Sequence, residues 1–195
     1  MIDQNKGKSP SAGLDGLQAL TPGGGPAPVE RWNPPYCGDI GLEIRADGSW
    51  FHQGRAIARP ALVRLFATVL RKDADGKTYL VTPAERVDIQ VADAPFLAVE
   101  LRVDDVGERQ AIHFRTNLDE WVGVDAAHPL RFVAEASDGL KPYVLVRGRL
   151  EARLTRSVYL DLVALADLDC EPPAVWSGGV RWPLAAGDNV SISKR

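Results

Sequence analysis

The spacing of apolar residues predicts two amphipathic helices. From Pro60, which suits the first position of a helix because it lacks a backbone N–H, apolar residues recur at helical spacing as far as residue 70. A second stretch with this spacing covers about residues 156–168, and Thr155 or Ser157 precedes it as a candidate N-cap. We predict that the first helix ends at the turn sequence of residues 73–76.

Much of the remaining chain alternates between apolar and polar residues with a period of two, which is typical of half-buried strands. Turn sequences such as Asp47-Gly48, Gln53-Gly54 and Asn117-Leu118-Asp119 separate the alternating runs. Closely spaced strands with short turns indicate an antiparallel meander. The predicted strands cover residues 40–44, 50–51, 79–81, 87–91, 96–103, 111–116, 120–124, 130–134, 143–154 and 180–184.

One order of elements occurs twice. A hairpin, a helix, a turn and a strand follow one another over residues 47–83, and a weaker copy of this order covers residues 138–184. A chance match in order remains an alternative. Repeated units usually pack against each other, and ligands favour the seam between packed units. The predicted fold is therefore α+β, with a duplicated hairpin–helix–strand unit on mainly antiparallel sheets and two main helices.

The predicted organisation has four parts. Residues 1–28 are rich in Gly, Pro, Ser and Ala, so we expect a flexible tail with at most one helical turn near residues 14–20. The first α+β unit covers residues 29–104 and the second covers residues 105–184. Residues 185–195 are expected to form a C-terminal tail.

Several short motifs together resemble one family. They are Trp32-Asn33-Pro34-Pro35-Tyr36-Cys37-Gly38-Asp39, Asp47-Gly48-Ser49-Trp50, the helical stretch of residues 59–70, Tyr79-Leu80-Val81-Thr82-Pro83, Asp93-Ala94-Pro95-Phe96, His128-Pro129-Leu130-Arg131 and Trp176-Ser177-Gly178-Gly179. Over residues 29–184 the chain is similar to the proteobacterial domain of unknown function 1285 family. The resemblance implies an α+β protein with a duplicated motif and a C-terminal half loosely like pleckstrin-homology folds. It also implies a ligand site in the groove between the halves, for which a nucleotide-like molecule is a candidate, and a role in signalling.

Composition narrows the class of protein. The 195 residues include 45% hydrophobic and 25% charged residues with a net charge of −3, which is ordinary for a soluble globular protein. A nucleic-acid or membrane partner would need a clustered basic face, and acidic residues interrupt the basic ones here. With two cysteines, no apolar signal-peptide region and no run of ~20 apolar residues, a reducing cytoplasm is the expected location.

Motifs for metal binding and catalysis are weak. The histidines and cysteines lack the paired spacing of zinc sites, so we expect no metal and no cofactor. Cys37 is the best candidate nucleophile, because a loop after two prolines could expose its thiol. A packed thiol is the favoured alternative. An enzyme would then use an unrecognised site around Cys37, Asp39 and His128.

Arginines are the stronger chemical signal, because their forks match phosphate and carboxylate groups. On a single strand of residues 147–153, Arg147, Arg149, Glu151 and Arg153 would share one face. The alternative is a solvated face on which Glu151 pairs with an arginine. The favoured alternatives are that His128 and Asn117 are turn residues and that the tryptophans are packing residues. The candidate ligand-binding residues are Trp32, Asp39, Arg64, Asn117, His128, Arg131, Arg147, Arg149 and Trp176.

Three functional hypotheses follow. The leading one is a non-enzymatic binding or regulatory module that holds a small anionic molecule, nucleotide-like in kind, in the seam between its two units. The second is the enzyme centred on Cys37, Asp39 and His128. The third is a protein–protein adaptor that uses a sheet face, in the manner of pleckstrin-homology-like modules.

Overall fold

The computed structural model describes residues 26–105, 109–136 and 139–187. Within these residues the helices are α1 (Pro60–Thr68) and α2 (Arg156–Ala164), and a 3-10 turn covers Val29–Arg31. The strands are β1 (Tyr36–Ile44), β2 (Trp50–His52), β3 (Arg55–Ala56), β4 (Leu70–Lys72), β5 (Thr78–Val81), β6 (Arg86–Val91), β7 (Phe96–Asp104), β8 (Ala111–Thr116), β9 (Trp121–Gly123), β10 (Leu130–Ala134), β11 (Leu140–Arg147), β12 (Leu150–Leu154), β13 (Ala174–Ser177) and β14 (Val180–Pro183).

The strands form two six-stranded sheets with the same topology. The first sheet has the order β3-β2-β1-β6-β5-β4 and the second has the order β10-β11-β12-β7-β8-β9. Each sheet consists of two antiparallel three-stranded meanders, joined where the first and last strands run parallel: β1 with β6, and β7 with β12. Numbered from its own first strand, each sheet therefore has the order 3-2-1-6-5-4. The predicted duplication is present, and its structural unit is a whole sheet.

The helices occupy different places in the two copies. Helix α1 joins the third and fourth strands of the first sheet, whereas α2 follows the sixth strand of the second sheet. The predicted order of hairpin, helix, turn and strand does occur twice and ends at the predicted strands, β5 and β14, but an unpredicted strand, β4 or β13, comes between each helix and its turn. However, β4 completes the first sheet, while β13 forms a separate hairpin with β14. In the second half, six strands precede a helix, and the loose likeness to pleckstrin-homology folds stays a prediction.

The first helix is shorter than the apolar spacing predicted. It begins at Pro60 as expected but ends at Thr68, and Leu70 pairs with Leu80 in an antiparallel ladder. Residues 73–76 are consequently the turn of a hairpin. A short apolar run fits a helix and a buried strand equally well, and here pairing with β5 decides between them.

The second helix also ends early. Thr155 is its N-cap, as one of the two predicted residues, but the helix stops at Ala164 instead of continuing to residue 168. Asp167 and Ala174 exchange two backbone hydrogen bonds of 2.8 and 3.2 Å, which turn the chain back toward β13. Leu168 lies 73% exposed beyond the helix.

Two strand predictions need correction. The predicted strand of residues 143–154 is two strands, β11 and β12, because the chain reverses at Gly148, whose positive φ of 53° favours glycine. Arg147, Arg149, Glu151 and Arg153 therefore do not share one strand face. Strand β1 starts at Tyr36, within the predicted loop, because Tyr36 pairs in parallel with Arg86.

A single hydrophobic core joins the two sheets. One cluster of buried side chains includes residues of both sheets and both helices. Trp50 of the first sheet stacks on Phe66 of α1 with ring centroids 6.2 Å apart, and Phe96, Phe114 and Phe132 fill the second sheet's side of the core.

Hydrogen bonding assigns β7 to the second sheet. The division of the chain at residues 104–105 stays a prediction.

Parts of the sequence-based predictions lie outside the described residues. They are most of the N-terminal tail, Asp138 of the second turn sequence and residues 188–195 of the C-terminal tail. Among the residues that are described, no helix is both long and apolar enough to cross a membrane.

Candidate functional site

A pocket of about 460 Å³ lies in the seam between the two sheets, and we call it the seam pocket. One wall is the β4–β5 turn of the first sheet and the other is the β11–β12 hairpin of the second. The first sheet contributes Lys72, Asp73, Ala74 and Gly76, and the second contributes Leu145, Gly148, Arg149 and Glu151. Its volume falls within the usual range for small-molecule sites, ~300–1,000 Å³.

Local hydrogen bonds fix the shape of the β4–β5 turn. Asp75 accepts hydrogen bonds from the Lys77 backbone N–H (2.9 Å) and from the Tyr79 hydroxyl (2.6 Å). The hydrogen bond from Tyr79 and that from Lys77 hold the pKa of Asp75 below its usual value. The hydrogen bond to Asp75 and, to a smaller extent, burial raise the pKa of Tyr79 to about 12. The turn is thus held by a tyrosine that stays protonated and a carboxylate that stays ionised.

The carboxylate of Asp73 is neutralised from behind the pocket. Arg71, only 7% exposed, donates to it from Nε (2.6 Å) and Nη2 (3.2 Å), and Arg86 donates from Nη1 (3.0 Å). Arg71 also donates to the carbonyl oxygens of Val29 (2.9 Å) and Trp32 (2.7 Å). Asp73 therefore serves as the anchor of an arginine pair.

The second carboxylate of the pocket is neutralised in the same way. Arg131 holds Glu151 through two parallel hydrogen bonds of 2.7 Å each, and its guanidinium lies 4.5 Å from the ring centroid of Tyr143. Burial and a hydrogen bond to Asp93 raise the pKa of Tyr143. This is the alternative foreseen from the sequence, in which Glu151 pairs with an arginine.

Two cations of the seam pocket have no partner in the part of the chain that the structure describes. Within residues 26–105, 109–136 and 139–187, neither Lys72 nor Arg149 forms an ion pair or a side-chain hydrogen bond. Lys72 is half-buried and Arg149 is exposed. Because the neighbouring carboxylates already bind arginines, these two groups are available to an anion.

One carboxylate lies close beside the pocket. A Cβ atom at Gly148 would lie 2.9 Å from Oε1 of Glu30, so the Glu30 side chain passes next to the β11–β12 turn. Glu30 lies two residues before Trp32. Arg71 donates hydrogen bonds both to the Trp32 carbonyl and to Asp73. The negative charge of Glu30 opposes an anion in the seam pocket.

Other predicted arginines serve the packing of the two halves. Arg147 donates to the carbonyl oxygen of Ala67 in α1 (2.7 Å) and pairs with Glu120. Arg64 in α1 donates to Asp119 in the β8–β9 turn (2.9 Å). Both arginines therefore link the first sheet's helix to the second half.

Asn117 and Trp32 also have structural contacts. Asn117 Oδ1 accepts a hydrogen bond from the Leu97 N–H (3.0 Å), and its Nδ2 lies 2.8 Å from the place of a Cβ at Gly48. The Asn117 turn of the second sheet thus touches the β1–β2 turn of the first. Trp32 is half-buried and packs against the core.

The remaining candidates do not line the seam pocket. His128 approaches Asp125 through Nδ1 (3.1 Å) in the turn before β10. Burial of Asp125 opposes its ionisation, but hydrogen bonds from the His128 and Ala127 N–H groups outweigh this and lower its pKa. The Trp176 carbonyl accepts from Gln110 at the start of β8, the end opposite Asn117. Asp39 Oδ1 accepts from the Gly41 N–H (2.7 Å) and is exposed.

Cys37 is an exposed thiol, so the favoured expectation of a packed thiol is wrong. The start of β1 is open to solvent, and Tyr36 beside it is 51% exposed. Cys37 Sγ donates to the Pro35 carbonyl at 3.6 Å, and no hydrogen bond or ion pair joins it to Asp39 or His128 among the described side chains. Nor does the described part of the chain bring three or more His, Cys, Asp or Glu side chains together as a metal site.

Sequence reasoning missed Lys72, Asp73 and Gly76. Reading residues 60–72 as one helix placed Lys72 on a solvated helix face. Recognising residues 73–76 as a hairpin turn would have placed Lys72 on an edge strand beside the seam.

Family comparisons agree with this architecture. The model of the N-terminal domain of the domain of unknown function 1285 (DUF1285) matches residues 27–94, and the model of the C-terminal domain of that protein family matches residues 95–184. The chain belongs to the DUF1285 family. The boundary between the two DUF1285 matches falls in the loop before β7.

Two solved DUF1285 family structures are similar. The protein from Silicibacter pomeroyi DSS-3 is 40% identical with a TM-score of 0.81, and the match covers 87% of this chain and 92% of that chain. The protein from Shewanella baltica OS155 is 23% identical with a TM-score of 0.52, and the match covers 66% of this chain and 94% of that chain. The second likeness shows the fold alone. No curated protein matches this chain.

Proposed function

We propose that this DUF1285 protein is a binding module that holds a small anionic molecule in the seam pocket and has a regulatory role. The observation that carries the proposal is that Lys72 and Arg149, on opposite walls of one pocket, have no partner among the described residues. An anion between them would bridge the first sheet to the second. Ligand occupancy would therefore stabilise the packing of the two halves.

The charges around the pocket favour an anion. Arg71 and Arg86 neutralise Asp73, and Arg131 neutralises Glu151. Without these arginines, the two carboxylates would repel an anionic ligand from the pocket. With them, the excess charge facing the solvent is positive, and the cost of desolvating a new carboxylate or phosphate is offset by Lys72 and Arg149.

A phosphate-bearing ligand fits the geometry best. Arg149 offers a planar fork that binds phosphate oxygens in pairs, and Lys72 offers a compact charge on the other wall. Gly76 and Gly148 line the pocket without side chains, which leaves room for a ligand near the backbone. A nucleotide or a sugar phosphate is the size-matched candidate for a pocket of about 460 Å³.

The experiment is a thermal-unfolding series of the full chain with pyrophosphate, ATP, GTP, glucose 6-phosphate and citrate. A ligand at ~100 times its Kd stabilises a protein by about 2.7 kcal/mol, which shifts Tm by ~5–10 °C for a chain of this size. The proposal predicts a shift with at least one phosphate compound, and a smaller shift at high salt. If no compound in the series raises Tm, anion binding is excluded for this panel and a protein partner becomes the next hypothesis.

A further inference from the structure

A second cavity of about 470 Å³ lies between α1 and the β1–β2 hairpin, and we call it the helix groove. It shares no lining residue with the seam pocket, so a ligand here does not depend on the proposed anion site. Its volume falls within the usual range for small-molecule sites.

The floor and walls of the helix groove are apolar. Five side chains form them: Ile40, Leu42, Ile57, Leu62 and Phe66. Leu42 and Phe66 are 1% and 3% exposed, so the groove reaches down to the hydrophobic core. Phe66 stacks against Trp50, with ring centroids 6.2 Å apart, which holds the floor in place. A ligand therefore needs an apolar body, since a polar group on this floor would lose its hydrogen bonds to water.

Polar groups of the lining lie at the mouth of the groove. They are Asp39, His52 and Gln53, and all three are exposed. The side chains of His52 and Gln53 form no hydrogen bond or ion pair with the described residues. Asp39 accepts one hydrogen bond through Oδ1, from the Gly41 N–H at 2.7 Å, and a carboxylate can accept several more. The mouth can therefore receive a hydrogen bond from one polar end of a ligand.

An irregularity in β1 gives the mouth its shape. The pairing of β1 with β6 shifts register on both sides of Asp39. Gly41, with a φ of 70°, donates to Asp39 and accepts a hydrogen bond of 2.8 Å from the Gln53 N–H. Bulges of this kind re-aim side chains next to binding sites. Because Asp39 and Gln53 are bound to the same residue, the mouth is preformed.

The charges at the mouth argue against a charged head group. Asp39 repels a carboxylate. Arg55 is the cross-strand partner of His52 in the β2–β3 hairpin and is exposed, so it repels an ammonium group. These opposite charges leave no net attraction that would draw an ion out of water. A hydroxyl group can donate a hydrogen bond to Asp39 without carrying a charge.

We propose that the helix groove binds a small uncharged molecule with an aliphatic body and a hydroxyl head. The body covers Leu62 and Phe66, and the hydroxyl lies at the mouth beside Asp39. The occupant is a free small molecule. A second copy of the chain in the groove would contradict the proposal.

Isothermal titration of the full chain with the linear alcohols from 1-pentanol to 1-octanol tests this. One molecule should bind per chain, and each added methylene should lower the Kd about fourfold, since it is buried on the apolar floor. A Kd that does not change with alcohol length overturns the proposal, and so does the absence of binding. An affinity that rises on dilution of the protein also overturns it, because a second copy then competes for the groove.

Matched tryptophan substitutions locate the site. Leu62→Trp fills the groove and should weaken the binding of 1-octanol at least tenfold. Leu160→Trp, at a 58% exposed leucine of α2, should leave it unchanged. Equal binding of 1-octanol by Leu62→Trp and wild type overturns the proposed place.

A change of charge at the mouth keeps the test independent of the core. The wild type should bind octanoate at least about fourfold more weakly than 1-octanol, because Asp39 repels a carboxylate at ~5 Å. Asp39→Asn retains an acceptor for Gly41 and should strengthen octanoate binding about fourfold at low salt without strengthening 1-octanol binding. Asp161→Asn, at an exposed position of α2, should change neither affinity. Octanoate binding that is the same in Asp39→Asn and wild type overturns the proposed position of the head group.

Discussion

Arg147 of β11 donates a hydrogen bond of 2.7 Å from its guanidinium to the carbonyl oxygen of Ala67 in α1. The same guanidinium pairs with Glu120 and lies 5.0 Å from the ring centroid of Phe96. Ala67 is one of the last residues of α1, so its carbonyl lacks the usual partner four residues on and otherwise faces only the N–H of the C-cap Val69, which it shares with Phe66. Arg147 therefore caps the helix of one half from the sheet of the other.

This contact predicts that Arg147→Ala destabilises the protein. The substitution leaves a helix-end carbonyl and the half-buried carboxylate of Glu120 without their donor, which we expect to cost about 2 kcal/mol. Arg149→Ala, two residues away on the exposed turn, should cost less than about 0.5 kcal/mol. Urea unfolding of both variants measures the difference. Equal stabilities would show that Arg147 is not a structural link.

The close approach of the two sheets at Gly48 gives a second prediction. Gly48 and Gly54 both have positive φ, 80° and 74°, so alanine at either position costs ~1 kcal/mol in backbone strain. At Gly48 the new Cβ would also lie 2.8 Å from Asn117 and 3.1 Å from Leu97, whereas at Gly54 it would meet nothing within 4 Å. We expect Gly48→Ala to cost about 1–3 kcal/mol more than Gly54→Ala in chemical denaturation. Similar losses in the two variants would argue against contact between the turns.

Ser177 joins the small β13–β14 hairpin to the second sheet. Its buried hydroxyl accepts a hydrogen bond from the Ile112 N–H (2.9 Å) and donates to the Val124 carbonyl (2.7 Å). Ser177→Ala leaves both backbone groups buried without this partner, which should cost about 2–4 kcal/mol. Ser157→Ala, at an exposed position of α2 where the hydroxyl has only the Thr155 hydroxyl (3.2 Å) as a partner among the described residues, is the matched control and should cost less than about 0.5 kcal/mol. Differential scanning calorimetry reports both. A neutral Ser177→Ala would mean that the hairpin does not depend on this link.

Tyr79 and Asp75 predict a dependence of stability on alkaline pH. The hydrogen bond to Asp75 raises the pKa of Tyr79 to about 12 in the folded protein, against about 10 for an unfolded tyrosine. A raised folded pKa contributes stability that is fully present below pH ~10 and is lost as pH rises toward ~12. Tyr79→Phe removes this contribution, so the stability gap between wild type and variant should narrow over that range.

The measurement is urea unfolding of wild type and Tyr79→Phe at pH 7, 9, 10.5 and 11.5. At pH 7 the wild type should be more stable by about 1 kcal/mol, the usual net contribution of one hydrogen bond. A gap that stays constant to pH 11.5 would contradict the assignment. Tyr159→Phe removes a hydroxyl that forms no hydrogen bond with the described residues, so at pH 7 it should cost less than Tyr79→Phe.

Local signals predicted much of the fold, and long-range pairing decided the rest. Pro60 and Thr155 marked both helix starts, and period-two alternation identified the antiparallel sheets. The strand β4 was not predictable from residues 70–72, because their apolar spacing suits a helix until β5 pairs with them. The identical strand order of the two sheets depends on two parallel pairings between distant segments, which leave no local pattern.

The candidate site, like the fold, was predictable from the sequence only in part. Arg149 was predicted as a ligand contact, and it lines the seam pocket with no partner among the described residues. Arg131 and Arg147 were predicted on the same chemical grounds, but each is held by a carboxylate far away in sequence, Glu151 and Glu120. Residue type shows that an arginine suits an anion. Only the fold shows whether that arginine already forms an ion pair with a carboxylate of the protein.

Glu30 offers a gain-of-affinity prediction. Its carboxylate lies beside Gly148 at the seam pocket, so Glu30→Gln should strengthen the binding of a phosphate compound, by about three- to tenfold at low salt. Glu85→Gln, at a half-buried position in the β5–β6 turn, removes the same charge elsewhere and should leave affinity nearly unchanged. Isothermal titration of both variants with pyrophosphate measures this. Weaker binding by Glu30→Gln would mean that Glu30 holds the ligand or its site.

The central claim is that Lys72 and Arg149 together bind an anion across the seam. The most direct measurement is the Kd of the best phosphate ligand for wild type, for the double variant Lys72→Ala/Arg149→Ala and for Arg55→Ala. Arg55 lies on β3, at the edge of the first sheet opposite β4, so it controls for the loss of one positive charge away from the pocket. We predict that the double variant binds at least ~100-fold more weakly, since two charge-assisted contacts are lost, and that Arg55→Ala binds like the wild type. Equal affinity in the double variant and the wild type would contradict the account.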